Sequence, residues 1–439
     1  MTAVSETPSV RPPTTEHESV ITWQAPPIRF GPGALGELGY ELRRLGAKST
    51  LIVTDARLAG LGLPARAAEI IAAAGIKVHV FAHARIEPTD ESCVAAARET
   101  ASLGVDSYVG LGGGSSIDTA KIVNLLHTFP DLALRRFLNR PVGEGLRVPG
   151  PLRPLVAVPT TAGSGSECTA MVALGLEDLR IKTGISDLAL RPSAAVVDPL
   201  TTVTLPPGVT ASSGYDVLTH ACESYTARAY DRRPPYADPA QRPLYIGANP
   251  VSDVWAEQAL ILIGRYFRRA VLNPWDLEAR TAMSQAASFA AMGFGNAGTH
   301  IPHACAYPVA GRVHEYQAAD YPTDHPMVPH GEAVVSTAPA AFAFTYPAAP
   351  ERHVRAAELL GAEVHGVSRA RRPGLLPDTL RELVADTGGP SGVAAFGYRS
   401  QDIAGLTEGA LQQQRLLSCC PREVGADDLR RILEMSLAN

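Results

Sequence analysis

The stretch "YVGLGGGSSIDTAK", Tyr108 to Lys121, passes from a short apolar run through three consecutive glycines into a helical pattern that opens at Ser115. Glycines at such a turn let backbone N–H groups approach a pyrophosphate closely, and the helix N-terminus behind them adds a partial positive charge. The spacing stops short of a full G-x-G-x-x-G, because Ser115 holds the last place, and no G-K-[ST] follows to make a Walker A loop. A tight glycine turn with no ligand calls for the same residues. Under either reading the stretch is a strand, a turn and a helix in sequence.

Outward from it the same unit repeats. "STLIVTD" (Ser49 to Asp55) is a β-branched run, "PARAAEIIAAAG" an Ala-rich helix ending at glycine, and "KVHVFAH" another short strand. "EPTDESCVAAARETASLG" opens on capping residues and runs as a helix to Gly104. Further on, "PLVAVPTT" adds a strand, "MVALGLEDLRIKTGI" a hairpin and "AAVVDP" a last strand. Alternation of this kind implies a parallel sheet covered by helices. Beyond Leu205–Gly208 the pattern becomes helical, over 209–227, 251–272 and 277–292. The expected organisation is therefore a disordered tail over 1–20, rich in Pro, Ser and Thr, an α/β Rossmann-like domain over 21–206, and an all-helical domain over 207–439. Between the helices, "RAYDRRPPYADPAQRPLYIGANP" is too Pro-rich for a helix, and so long a loop inside a compact domain is expected to serve function.

A net charge of -5 with 19% charged residues gives no basic bias, so nucleic acid and anionic membrane surfaces are not expected partners. No apolar run approaches the roughly 20 residues of a membrane span. The six cysteines show no paired C-x-x-C spacing, and the first twenty residues lack the apolar core of a leader, so a cytoplasmic protein with reduced thiols is expected. Only four lysines, Lys48, Lys77, Lys121 and Lys182, stand among 39 basic residues. A lysine that survives such an arginine bias can mark a place where a compact ammonium is needed.

Chemistry-bearing residues gather at three places. "VPTTAGSGSECT" sets Thr160, Thr161 and Ser164 among glycines at a strand's carboxyl end, where a doubly wound sheet binds ligands, although a solvated Ser/Gly loop has the same composition. Asp55 closes an early strand, where a carboxylate can accept hydrogen bonds from an adenine-ribose diol and repel a 2′-phosphate, or simply cap a helix. "SSGYDVLTHACESY" puts Asp216 and His220 at i and i+4, the spacing by which two helical side chains reach one metal ion or bond each other in a core. "GNAGTHIPHACAYP" adds His300 and His303 in another helical stretch, and "HPMVPHGEAVV" adds His330. One carboxylate with three imidazoles makes an N/O site suited to Fe²⁺ or Zn²⁺, with a position left open for a substrate oxygen. Spacing does not decide which histidines bind.

Taken in order, "GGGSSIDTAK", "PTTAGSGSECT", "GYDVLTHACESY" and "PHG" make the chain resemble the iron-dependent (group III) alcohol dehydrogenases, from about Ile28 onward. The resemblance implies metal ligation by Asp216, His220, His303 and His330. It also implies NAD(H) contacts from Asp55, Gly113, Gly114, Ser115, Asp118, Thr160, Thr161, Ser164 and Lys182, with Lys121 supporting the glycine-turn helix. "RPLYIGANPVSDVWA", "GFGNAGTHIPHACAYPVAG" and "CPREVGADDL" are similar to the hydroxyacid-oxoacid transhydrogenase branch. Many family members carry histidine four residues after the third ligand, where this chain has Tyr307, so Tyr307 or His300 is the expected proton relay. The implied substrate is a small anionic alcohol, aldehyde or oxoacid, the metal Fe²⁺ with Zn²⁺ as the alternative, and a homodimer is a possible assembly. Arg228, Arg232, Arg233 and Arg242 in the Pro-rich loop are candidates for selecting the anion. Two other readings stay open: an NADH-dependent reductase of an anionic aldehyde such as phosphonoacetaldehyde or succinate semialdehyde, and a dehydroquinate synthase-like lyase.

Overall fold

Strand β1 (Ile28–Phe30) is followed by β2 (Ser49–Val53), β3 (Lys77–Phe81), β4 (Ser107–Gly112) and β5 (Leu155–Pro159). An antiparallel hairpin of β6 (Met171–Leu176) and β7 (Ile181–Ser186) comes next, then β8 (Ala194–Val197). This computed structural model describes residues 16–178, 181–321, 323 and 325–438. Six strands form one sheet in the order β1-β8-β5-β4-β2-β3, and every pairing in it is parallel. The central strands β4 and β5 are buried along their whole length, as expected for a sheet with helices on both faces, where alternation gives way to continuous apolar runs.

The glycine turn sits at the carboxyl end of β4. Gly112 has φ +151, and a Cβ there would stand 2.5 Å from Ser116 Oγ, so the helix Gly114–Thr128 can start only because the turn carries no side chain. Thr160 and Thr161 leave the carboxyl end of the adjacent β5, so the two ligand-type motifs emerge side by side. Lys121 lies inside that helix, fully buried, and donates to Ser166 Oγ at 2.8 Å, the Thr169 carbonyl at 3.1 Å and the Met171 carbonyl at 2.8 Å. It is a strut joining the glycine-turn helix to the segment after β5.

After β8 the chain turns helical. The helix Pro207–Thr226 is buried on nearly every side, packed by Pro250–Leu272 and Leu277–Ala297. Tyr215 meets Phe267 edge to face, with ring centres 5.5 Å apart. Ile301–Gly311 and His330–Val335 follow, and smaller helices close a second apolar cluster around Leu406, Leu429 and Leu433.

Four expectations need correction. The strand β1 went unrecognised, because three residues are too few to show periodicity; it is held by pairing with β8. Of the tail expected to be disordered, residues 1–15 lie outside the described residues, but Glu18 is buried and accepts two hydrogen bonds from Arg242. The Pro-rich loop forms short turns at Tyr230–Arg232 and Pro239–Gln241 and does not line the cleft. Three of its four arginines are engaged elsewhere, where Arg228 donates to the Arg232 carbonyl, Arg233 to the Tyr245 and Ser418 carbonyls, and Arg242 pairs with Glu18, while Arg232 is exposed away from the cleft.

Candidate active site

A cleft of about 270 Å³ opens where the carboxyl ends of β4 and β5 face the helices. Asp55, Gly113, Gly114, Ser115, Asp118, Thr160, Thr161, Ser164 and Lys182 all line it, and so do Asp216, Tyr307 and His330. Residues spread over 276 positions of sequence thus converge on one cavity, at the kind of place where open α/β sheets bind ligands.

Several of these side chains already have partners. Asp55 caps the short helix Ala56–Gly60 by accepting from Leu58 N at 3.0 Å, so its capping and cleft-lining readings hold together. Asp118 is buried and accepts from Ser166 Oγ and, at 2.9 Å, from Ala173 N, which leaves it locked into the wall. Lys182 pairs with Glu87, a residue at φ 58 and the only described non-glycine residue at positive φ. Ser115 Oγ accepts from Glu87 N at 3.3 Å.

At the cleft's inner end stands the Asp216 cluster. Asp216 Oδ1 is 3.5 Å from His220 Nε2, 3.4 Å from His303 Nε2 and 3.8 Å from His330 Nε2. Asp216 Oδ1 and His303 Nε2 are buried with no hydrogen-bond partner. Four donor atoms about 2.1 Å from one ion would stand roughly 3.4 Å apart, so the spacing and the orphaned atoms fit a divalent cation. Asp216, His220 and His303 are deeply buried, while the His330 side chain is 35% exposed and forms the cleft-facing edge.

Electrostatics reinforce the geometry. Burial would raise the Asp216 carboxyl, but the surrounding imidazoles outweigh it and hold the group well below the usual carboxylate range. Burial pushes His220 down to about 3, so it stays a neutral donor. His303 is pulled the other way: burial would depress it, yet Glu223 and Asp216 raise it above the ordinary imidazole range.

Glu223 is a residue that spacing did not single out. It lies in the same "HACESY" segment as His220, is fully buried, bonds His303 Nδ1 and accepts from His300 N at 2.7 Å. A carboxylate on Nδ1 fixes the tautomer that turns Nε2 toward the Asp216 oxygen. Its signal was available: a glutamate seven residues after Asp216 shares the inner face of the helix, i, i+4 and i+7.

His300 departs from expectation. It is not inside a helix but precedes Ile301–Gly311 at φ -137, ψ -116, and its ring is buried against Phe342 with Nε2 3.2 Å from Thr226 Oγ1. It does not line the cleft, and its ring lies behind His303 and Glu223. Tyr307 does line the cleft, its ring edge-on to His330 with centres 6.5 Å apart.

Comparison with known proteins agrees with this architecture. The family model for iron-containing alcohol dehydrogenase matches residues 25–199, and that for the Fe-containing alcohol dehydrogenase family, C-terminal, matches 244–437. The hydroxyacid-oxoacid transhydrogenase, mitochondrial, of Bos taurus is 42% identical over 99% of this chain and 93% of its own length. That of Homo sapiens is 41% identical over the same shares. Among solved structures, an alcohol dehydrogenase from Oenococcus oeni superposes with a TM-score of 0.83 at 27% identity, covering 95% of this chain and all of its own. A sulfoacetaldehyde reductase from Bifidobacterium kashiwanohense, in complex with NAD+, gives 0.78 at 26% over 96% of this chain and 99% of its own.

The mitochondrial relatives overturn the cytoplasmic location expected from the sequence, because unpaired cysteines do not separate one reducing compartment from another. With both models matched in order along its length, the chain belongs to the iron-containing alcohol dehydrogenase family of oxidoreductases.

Proposed function

We propose that this protein exchanges a hydride between a short hydroxyacid and an oxoacid or aldehyde, in the manner of a hydroxyacid-oxoacid transhydrogenase. The observation that carries the reading is the 41–42% identity to proteins of that name over nearly the whole chain. When bound, the divalent metal supplies Lewis acidity to a substrate oxygen, and the nicotinamide supplies or accepts the hydride. Asp216, His220, His303 and His330 are the residues to hold Fe²⁺, and Glu223 orients His303 among them. The backbone at Gly113, Gly114 and Ser115, on the helix N-terminus, suits the pyrophosphate of NAD(H). Thr160, Thr161 and Ser164 offer hydroxyls in the same cleft, and Asp55 and Lys182, which also line it, are the side chains suited to ribose hydroxyls. Tyr307 is the group from this chain that can pass a proton beside His330. The division of labour follows the fold, with 21–206 binding nucleotide and 207–439 holding metal.

The test is an anaerobic incubation of Fe²⁺-loaded protein with 4-hydroxybutyrate and 2-oxoglutarate, with no nucleotide added, followed by chromatography for 2-hydroxyglutarate. Product in excess of one equivalent per subunit supports transhydrogenation. Its absence, together with NADH consumption on succinate semialdehyde, would replace the reading by a conventional aldehyde reductase.

A further inference from the structure

Asp320 touches both walls of the cleft that it lines. Its carboxylate Oδ2 accepts from Gly208 N at 2.7 Å, while its backbone carbonyl accepts from Arg57 Nη1 at 3.3 Å. Gly208 stands in the first turn of Pro207–Thr226, the helix that carries Asp216 and His220. Arg57 stands on the sheet side, in the short helix Ala56–Gly60 that follows β2 and Asp55. Tyr321, next in sequence, shares a hydrogen bond with the Ser212 hydroxyl one turn before Asp216, and both of these residues line the cleft.

The contact with Gly208 suits a carboxylate. A first-turn N–H has no partner inside its own helix, and the positive end of the helix dipole favours a negative acceptor. A Cβ at Gly208 would stand 2.7 Å from Asp320 Oδ2, so the close approach needs glycine at that place. A helix cap alone would have no use for the second hydrogen bond, which comes from the other wall, 263 positions away in sequence. The residues assigned above to nucleotide, among them Asp55, Gly113 and Lys182, line the same cleft. A molecule seated on them leaves between walls that Asp320 ties together.

We propose that Asp320 is a positioning residue that latches the cleft over bound NAD(H) and so keeps the cofactor in place from one half-reaction to the next. The proposal rests on the transhydrogenase reading given above, in which the hydride taken from one substrate must wait on the nicotinamide for the second. A latch made wholly of protein groups closes with or without nucleotide, so it slows entry and exit alike and leaves affinity nearly unchanged. A side chain that gripped the nucleotide itself would change affinity instead.

The experiment follows NADH fluorescence by stopped flow in Fe²⁺-loaded wild type, Asp320→Ala, Asp320→Asn and Arg57→Met. Association is read on mixing with NADH, and release on displacement by excess NAD+. Asp320→Ala is expected to release NADH about 10- to 100-fold faster, with association accelerated in proportion and Kd nearly unchanged. Asp320→Asn keeps an acceptor oxygen for Gly208 N but loses the charge, so its rates should fall between the two. Arg57→Met, at an exposed position, removes the hydrogen bond to a neutral carbonyl and should speed release by less. Release at the wild-type rate in all three variants overturns the latch and leaves the transhydrogenase reading standing. Faster release with a Kd weakened to match also overturns it, because Asp320 would then act on the nucleotide or on the fold. A wild type that releases NADH faster than it turns over substrate overturns the transhydrogenase reading and the proposal together. Should Asp320→Ala fail to fold, Asp320→Asn and Arg57→Met decide by the same rates.

Discussion

Glu223 shows how much of this site depends on a side chain that does not line the cleft. Its carboxylate meets His303 Nδ1 together with the backbone N–H groups of His300 and His303, so it anchors the entry of one helix to the interior of another. Glu223→Gln keeps the shape but removes the charge that fixes the His303 tautomer. Metal affinity, measured by chelator competition, is expected to drop about 10- to 100-fold while far-ultraviolet circular dichroism is retained. Affinity equal to wild type would remove Glu223 from the site. Further out, His353 is buried with Nδ1 donating to the Ala349 carbonyl at 2.8 Å and Nε2 2.9 Å from Thr345 Oγ1. Burial pushes it down to about 4. Because the folded value is depressed, the unfolded chain binds the proton first, and stability is lost as pH falls from about 6.5 toward 4, by roughly 3 kcal/mol at most. Urea titrations at pH 7 and pH 4.5 should show a smaller pH-dependence for His353→Leu than for wild type; equal slopes would refute the assignment. At this scale the sequence was legible where types and spacings are distinctive, as for Asp216 and His220. It was silent on Glu223, whose role comes from burial and from neighbours far along the chain.

Between elements, the closest approach is made by Gly331. A Cβ there would overlap the Ser212 carbonyl oxygen, so the helix His330–Val335 lies directly on the helix Pro207–Thr226 at the level of Asp216. Gly331→Ala must push the short helix outward and carry His330 with it. The expected result is a loss of about 1–3 kcal/mol in stability together with weaker metal binding. If calorimetry and metal titration both match wild type, the two helices are not in that contact. The glycine preceding a run of small apolar residues was visible in the sequence, but its reason was not, because a close approach is a relation between two helices. The same limit separates what was readable in the fold from what was not. Strands β2 to β5 and the long helices announced themselves by composition and period, whereas β1 exists only through its pairing with β8. The loop after Thr226 looked functional by length alone, and the ion pair of Arg242 with Glu18 explains why it is instead fastened away from the cleft.

For the molecule as a whole, the candidate ligands come from three helices, Pro207–Thr226, Ile301–Gly311 and His330–Val335, while the glycine turn belongs to the sheet. The segment between the last two helices also reaches across: Asp320 accepts from Gly208 N at 2.7 Å, and its carbonyl accepts from Arg57 beside the sheet. A cation held by the three helices acts as a cross-link present only in the folded state. At free metal about 100-fold above its dissociation constant the linkage is worth about 2.7 kcal/mol, which for a chain of this length shifts the melting midpoint by roughly 3 °C. The effect should also be local. Chelation should raise amide hydrogen exchange in those three helices, since each loses an anchor, and leave β4 and β5 unchanged, since their hydrogen bonds lie within the sheet. Exchange that rises equally in β4 and β5 would mean that the cation is held across the cleft instead of within the helical half, and the Asp216 cluster would then lose its claim to the metal.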